Sequence, residues 1–187
     1  KSIQHVSVLS LPLGAGCASI LSHSFVNRAE TAVARRNHSG EAPMKATVDW
    51  TGNASFKVTS GSGHSVQLDG PPDHGGENLG PRPMEMLLMG LGGCSSFDVM
   101  SILKKSRQDV TACHAELEAD RADAVPAVFT KIHLHFVVTG NGLKENLVKR
   151  AVSLSAEKYC SASIMLEKAD VEISHSYEIH EANENTD

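Results

Sequence analysis

The chain has 187 residues, of which 41% are hydrophobic and 21% charged, and its formal net charge is -5, values typical of one globular domain with a real core. The negative charge and the 4% aromatic content argue against a nucleic-acid-binding protein, which needs a basic surface and often aromatic stacking platforms. No apolar stretch reaches the roughly 18 residues that a membrane span needs. We therefore expect neither nucleic acid nor a membrane as a partner.

The first 43 residues differ in composition from the rest of the chain. They are rich in Ser, Ala and Val, and Pro12 and two glycines interrupt their one long apolar stretch. This composition indicates an extension outside the folded core, and the alternative is that its apolar stretch is the weak hydrophobic region of a signal peptide. We expect an N-terminal extension over 1–43 and a domain over 44–187 that begins at Met44.

From Met44 onward, strand and helix patterns follow one another. Alternating apolar and polar residues predict strands over 45–50, 55–60 and 65–69. The Gly/Pro-rich segment 69–83 predicts a long loop, of a kind that often borders a site. The remaining pattern predicts an α+β fold, with helices over 84–106, 142–159 and 161–169 and strands over 110–120, 129–140 and 170–180.

The predicted helix over 84–106 has almost no polar face and carries Gly90, Gly92 and Gly93 just ahead of Cys94. Glycine inside a helix costs about 0.5–1 kcal/mol relative to alanine, so these positions need a reason. Glycine lets a second backbone approach closely, and a helix that is apolar all round must be covered on all sides. Either the 142–159 helix or a symmetry mate covers it, and we favour an obligate homodimer.

The four cysteines, Cys17, Cys94, Cys113 and Cys160, form no CxxC pair, which argues against zinc ribbons and thioredoxin-type motifs. So few in a chain of this length indicate a reducing, cytoplasmic compartment. Cys94 lies mid-helix in an apolar setting. Cys160 precedes Ser161, a good N-cap, and a thiol at a helix N-terminus is more easily ionised. Cys113 alternates with apolar residues of a strand, so we expect it only to pack.

Histidines offer a different chemistry. His133 and His135 lie on one face of a predicted strand, and His114 lies on the preceding strand. They can share a metal or simply pack across the strands. No further ligand is evident nearby, so we expect packing.

The segments RPMEMLLMGLGGCSSFDVMSIL and AEKYCSASIMLEKA, in this order, resemble the OsmC/Ohr family of osmotically inducible and organic-hydroperoxide-resistance proteins, and most of all its YhfA-type branch. The resemblance spans about Met44 to His180. It implies an intertwined α+β homodimer, with antiparallel sheets around two central helices and two thiol sites at the subunit interface. We expect neither a metal nor an organic cofactor.

The resemblance also implies a peroxiredoxin-type activity, the thiol-dependent reduction of organic hydroperoxides in the oxidative stress response. Cys94 would attack the peroxide, Cys160 would close a disulfide, and a thiol or dithiol reductant would reset the pair. An apolar pocket favours a bulky organic hydroperoxide over hydrogen peroxide. The alternative is a non-enzymatic dimer that binds a small hydrophobic ligand, with the thiols as pocket walls.

In the family, an arginine from the early strands offsets the charge of the first thiol and is held by a glutamate near the start of the first helix. Here the early strands contain only Lys45 and Lys57, and the nearest arginine is Arg82 in the loop. The candidate glutamate is Glu85, the third catalytic candidate beside the two thiols.

Helix geometry decides which thiol Glu85 can serve. It lies nine residues before Cys94, which corresponds to about 13–14 Å along a helix and to the opposite face. We therefore expect it to serve the thiol of the partner subunit. Asp98, four residues after Cys94, shares the face of that thiol. It either discourages the Cys94 thiolate or is simply a hydrogen-bonded acid.

Overall fold

A computed structural model describes residues 43–182 of the chain. Two three-stranded sheets and three helices make up the fold, so the predicted α+β class is confirmed. The first sheet has the order β1-β2-β3 and is antiparallel. Its strands are β1 (Ala46–Gly52), β2 (Ser55–Ser60) and β3 (Ser65–Leu68). The remaining elements are α1 (Pro83–Lys105), β4 (Asp109–Arg121), β5 (Phe129–Asn141), α2 (Glu145–Leu154), α3 (Ser161–Glu167) and β6 (Glu172–Glu181).

The second sheet, in the order β4-β5-β6, carries the core on one face. β4 and β5 form the predicted antiparallel hairpin, but β6 pairs with β5 in parallel, where antiparallel sheets were expected. The reason is topological, because α2 and α3 form the crossover connection that two parallel strands require. Every second residue of β5 is buried, as strand periodicity demands; these are Ile132, Leu134, Phe136 and Val138.

α1 packs against β4, α2 and α3 and buries Leu91, Val99 and Leu103. It has 23 residues and is, by length and composition alone, long and apolar enough to cross a membrane. The prediction that no stretch reaches that size was wrong. Within the single chain, α1 contacts β4, α2 and α3 on one side, and its other side is exposed.

The three glycines of α1 lie on two different faces. A Cβ atom on Gly92 would lie 2.8 Å from the Leu117 side chain of β4, so Gly92 lets the helix approach the sheet. Gly90 and Gly93 have open space where a Cβ would be, within residues 43–182, and with Phe97 they form an exposed face. Packing inside one chain thus explains one of the three glycines. The symmetry mate expected for the other two stays a prediction.

The first sheet also exposes an apolar face. Strand register aligns Trp50 with Phe56 and Phe56 with Leu68 across the three strands, and Val48 with Val58 beside them. Trp50 is 69% exposed and Val48 64%. This sheet makes few contacts with the helices and the second sheet of its own chain. Contiguous apolar surface of this kind normally marks an interaction site.

One buried carboxylate organises the loop between β3 and α1. Asp69 accepts hydrogen bonds from the Ser55 hydroxyl and from the backbone N–H groups of Gly70, Glu77 and Leu79, at 2.8–3.0 Å. The Leu79 N–H contributes most, and the four donors together outweigh burial and lower the pKa of Asp69 from 3.8 to about 2. The loop that joins the first sheet to α1 is therefore held by an ionised carboxylate.

Candidate active site

Two thiols meet where α1 passes the start of α3. The sulfurs of Cys94 and Cys160 and a carboxylate oxygen of Asp98 all lie within 4.8 Å of one another. Cys160 is fully buried, Cys94 is partly exposed, and both are free thiols. A disulfide needs a sulfur–sulfur distance of about 2.05 Å, so the pair can bond after a movement of about 3 Å or less. The expected approach of these two cysteines is confirmed.

Cys113 takes no part in this cluster. Cys113 lies on β4 opposite Val138, outside the group formed by the two thiols and the aspartate, as predicted. Burial raises the pKa of Cys113, so it stays protonated. Cys17 and the predicted extension over 1–43 lie outside the described residues.

An irregular helix end positions Cys160. α2 ends at Leu154, and Ser155–Tyr159 continue it as a π-helical turn, so the predicted helix over 142–159 has a widened last turn. Cys160 then adopts an extended backbone and caps α3 itself, its sulfur accepting the Ser163 N–H at 3.5 Å. Ser161, predicted as the cap, is the first helical residue instead.

Hydrogen bonding favours negative charge on Cys160. Burial alone would raise the pKa of this thiol, but hydrogen bonds from Ser163 and Ser95 outweigh burial and lower the pKa below its ordinary value. The Ser95 hydroxyl donates to the sulfur at 3.2 Å. Within residues 43–182, the Ser163 hydroxyl is the one buried side-chain polar atom without a hydrogen-bond partner of good geometry. The hydrogen bond from Ser163 to the Cys160 sulfur therefore comes from the backbone N–H.

Of the two thiols, Cys94 is the one that keeps its proton more strongly. Burial raises the pKa of this thiol, the Ala162 N–H partly offsets that, and the adjacent Cys160 and Asp98 raise it further. Burial also raises the pKa of Asp98, which shares the face of Cys94 as its four-residue spacing predicted. Cys94 is thus the more accessible thiol, and Cys160 is the more readily ionised one.

Glu85 and Cys94 stand nine residues apart on α1, so the carboxylate is far from the thiol of its own helix, as helix geometry predicted. Its carboxylate accepts the Arg82 N–H at 2.9 Å and pairs with the Arg82 guanidinium at 3.1 Å, closing the N-terminus of α1. The arginine–glutamate pair that the resemblance implied therefore forms with an arginine of the loop. Both residues line a cavity of about 550 Å³ with Met84, Leu88 and Phe129.

A second cavity, of about 450 Å³, adjoins the thiol cluster. Asp98 lines it together with Lys105 from α1 and Arg150 from α2, and its apolar wall consists of Ile102, Leu147 and Leu154. The two cations were not singled out from the sequence, because charged residues on an amphipathic helix usually face water. Only the packing of α2 against α1 brings Arg150 to this cavity.

Two serines of the site were also missed. Ser95 directly follows Cys94, and Ser163 stands three residues after Cys160. The spacing of three residues from Cys160 to Ser163 is that of a helix cap and the backbone N–H that it accepts. The segment CSAS could therefore have predicted this contact. No local pattern could have predicted the role of Ser95, because its hydrogen bond to Cys160 joins α1 to the start of α3.

The histidines of the second sheet are hydrogen-bonded to serines of β6. The two ring nitrogens of His133 lie 2.8 Å from Ser174 Oγ and 2.9 Å from Ser176 Oγ, and His135 Nδ1 lies 2.7 Å from Ser176 Oγ. His114 contacts a glutamate of its own strand at 3.4 Å. The expected cross-strand packing is confirmed.

Comparison with known proteins places this architecture in a family. The family described as OsmC-like protein matches residues 75–176. Protein YhfA of Escherichia coli (strain K12) is 52% identical over 136 residues, which cover 73% of this chain and 98% of YhfA. A hypothetical protein from Aquifex aeolicus is 29% identical, with a TM-score of 0.66 over 76% of this chain and 100% of its own. An organic hydroperoxide resistance protein, OsmC, from Legionella pneumophila is 18% identical and shares the fold, with a TM-score of 0.56 over 72% and 96% of the two chains. The chain therefore belongs to the OsmC/Ohr family.

Proposed function

We propose that this protein is a cytoplasmic, homodimeric thiol peroxidase that reduces organic hydroperoxides in the oxidative stress response. The observation that carries the proposal is the pairing, within 4.8 Å, of one accessible thiol with one buried and more acidic thiol. Cys94 is the peroxidatic cysteine because peroxide can reach it, and Cys160 is the resolving cysteine. The name of the Legionella relative points to the same class of substrate.

The chemistry balances with these two thiols and one external reductant. Cys94 passes its proton to the Cys160 thiolate and attacks the outer peroxide oxygen. The O–O bond breaks, Cys94 becomes a sulfenic acid, and the alkoxide takes the proton from Cys160 and leaves as an alcohol. The Cys160 thiolate then attacks the Cys94 sulfur, the S–S bond forms, and hydroxide leaves. A dithiol reduces the disulfide and is itself oxidised to a disulfide.

A cation must offset the charge that develops on the peroxide in this apolar setting. We assign this role to the Arg82–Glu85 pair of the partner subunit, since Glu85 cannot reach the thiol of its own helix. In this assignment Glu85 orients the guanidinium and has no direct contact with the peroxide.

Two exposed apolar surfaces support the homodimer, namely the face of α1 around Gly90, Gly93 and Phe97, and the face of the first sheet around Trp50. Phe97 is 76% exposed in the single chain. We expect sedimentation at low micromolar concentration to show dimers. Phe97→Asp should give monomers or unfolded chain, because it buries a charge in the seam, while a charge added at the exposed Thr111 of β4 should leave the dimer intact. A stable, folded wild-type monomer under these conditions contradicts the dimer.

The activity is tested by the consumption of cumene hydroperoxide or tert-butyl hydroperoxide with dithiothreitol as reductant. We expect measurable but slow turnover, because the pKa of Cys94 lies above its ordinary 9.0 and little thiolate exists at neutral pH. For the same reason the rate should rise as the pH increases toward and beyond 9.0. Peptide mapping after peroxide treatment should identify a Cys94–Cys160 disulfide. If peroxide disappears no faster than in buffer with dithiothreitol, the non-enzymatic hydrophobic-ligand binder becomes the better hypothesis.

A further inference from the structure

The same cluster has the composition of a metal site. We infer that Cys94, Asp98 and Cys160 form a three-ligand site for a thiophilic divalent cation, zinc above all. Their ligand atoms lie within 4.8 Å of one another. In tetrahedral zinc sites, Zn–S bonds of about 2.3 Å and Zn–O bonds of about 2.1 Å place neighbouring ligand atoms about 3.5–3.8 Å apart. A contraction of about 1 Å therefore brings the cluster to the geometry of a zinc site.

The backbone positions the three side chains so that they can bind one metal ion. Cys94 and Asp98 stand four residues apart on α1, so one helix face presents a thiol and a carboxylate together. Cys160 completes the group from the start of α3, where the Ser95 hydroxyl already orients its sulfur at 3.2 Å. Such outer hydrogen bonds fix a ligand for its metal.

Two polar groups at this point lack a partner. The Asp98 carboxylate, which is partly exposed and borders the cavity lined by Lys105 and Arg150, forms no hydrogen bond or ion pair with another residue of the described range 43–182. The hydroxyl of Ser163, which is 1% exposed, is likewise unpartnered within that range. A buried hydroxyl without a partner normally marks an absent one, and the partly exposed carboxylate is available to pair with a cation bound between the sulfurs.

Charge and access fit the same conclusion. Two thiolates and one carboxylate around Zn²⁺ leave a net charge of about -1, and Lys105 and Arg150 line the cavity of about 450 Å³ that Asp98 shares. Asp98 is the ligand that borders this cavity, so an ion and a water or thiol as fourth ligand can approach from the side of its carboxylate. Three protein ligands with one open position are typical of catalytic rather than purely structural zinc sites.

The inference does not depend on peroxidase activity, but it has a consequence for it. A thiolate that binds zinc cannot attack peroxide at the same time, and a disulfide cannot bind the metal. Zinc and hydroperoxide therefore compete for one pair of sulfurs, so zinc should inhibit any turnover and should shield both thiols from oxidation.

The test is a Co²⁺ titration of the full-length protein, reduced with a phosphine so that no added thiol competes for the metal. We expect one equivalent of Co²⁺ to produce a thiolate-to-cobalt charge-transfer band and the visible bands of tetrahedral cobalt, and Zn²⁺ to remove both. Asp98→Asn should weaken binding by at least about tenfold, whereas Cys113→Ser should change nothing. A wild-type protein without the charge-transfer band, or with the same affinity as Asp98→Asn, overturns the inference.

A second measurement needs no variant. Alkylation of the wild-type thiols with iodoacetamide, followed by peptide mapping, should show Cys94 and Cys160 protected by Zn²⁺ and Cys113 unaffected. Equal labelling of all three thiols with and without Zn²⁺ contradicts the site. Both readouts are taken without peroxide, so loss of the metal site and loss of the proposed peroxidase activity are separate results.

Discussion

Replacement of Cys94 by serine is expected to abolish hydroperoxide reduction, leaving only the uncatalysed rate of peroxide loss with dithiothreitol. Cys94 is the thiol of the pair that is partly exposed, whereas Cys160 is fully buried. A serine hydroxyl has almost the same size as the thiol, but it is neither ionised near neutral pH nor oxidised by peroxide. The measurement is peroxide consumption with cumene hydroperoxide, beside circular dichroism to show that the variant is folded.

Cys113→Ser is the matched control for this variant. Cys113 is a partly buried thiol on β4 that lies outside the cluster, so its loss should leave the rate unchanged. If wild type and Cys94→Ser consume peroxide equally, the Cys94 thiol only packs, and a dimer that binds a hydrophobic ligand should replace the enzyme as the preferred function.

Replacement of Cys160 by serine is expected to allow a single oxidation of Cys94, followed by its over-oxidation. Without a second thiol the sulfenic acid is not trapped, so further peroxide converts it to sulfinic and then sulfonic acid. The first oxidation should also be slower than in wild type, because the Cys160 thiolate no longer accepts the Cys94 proton. Intact-mass spectrometry after a few equivalents of peroxide, with no reductant present, measures the products directly.

Wild type provides the comparison for this experiment. It should lose two hydrogens as the disulfide forms and then stop, while Cys160→Ser should gain two or three oxygens on the peptide that contains Cys94. A wild-type chain that gains oxygens instead of forming the disulfide would falsify the resolving role of Cys160.

Local pattern was enough to predict most of the fold. The apolar run predicted a helix over 84–106, and α1 spans Pro83–Lys105. Alternation predicted the hairpin of β4 and β5, because a strand with one face on the core must bury every second residue. The approach of Cys94 and Cys160 came from the family resemblance, since no spacing rule connects residues so far apart in the chain.

The features that the sequence did not predict all depend on contacts between residues distant in sequence. Asp69 looked like one more polar residue of a Gly/Pro loop, and its role appears only when Ser55 and Leu79 donate to it. Arg150 lines a site because α2 packs on α1. The parallel pairing of β6 depends on the crossover through α3. Periodicity describes how a residue relates to its own element, so it carries little information about which neighbour that element meets.

The Asp69 anchor also bears on the entropy of assembly. A flexible linker between β3 and α1 would let the first sheet sample many orientations, and dimerisation would then have to freeze them at a free-energy cost. Because four donors hold one carboxylate, the loop is ordered when the single chain folds, and in the proposed dimer the first sheet meets the partner subunit already oriented. The pKa of Asp69 falls from 3.8 to about 2, so this preorganisation is complete above pH 3.8 and is lost as the pH drops through about 2. In strong acid the first sheet is still linked to α1 but is no longer held in one orientation, and the proposed dimerisation loses the advantage of this preorganisation.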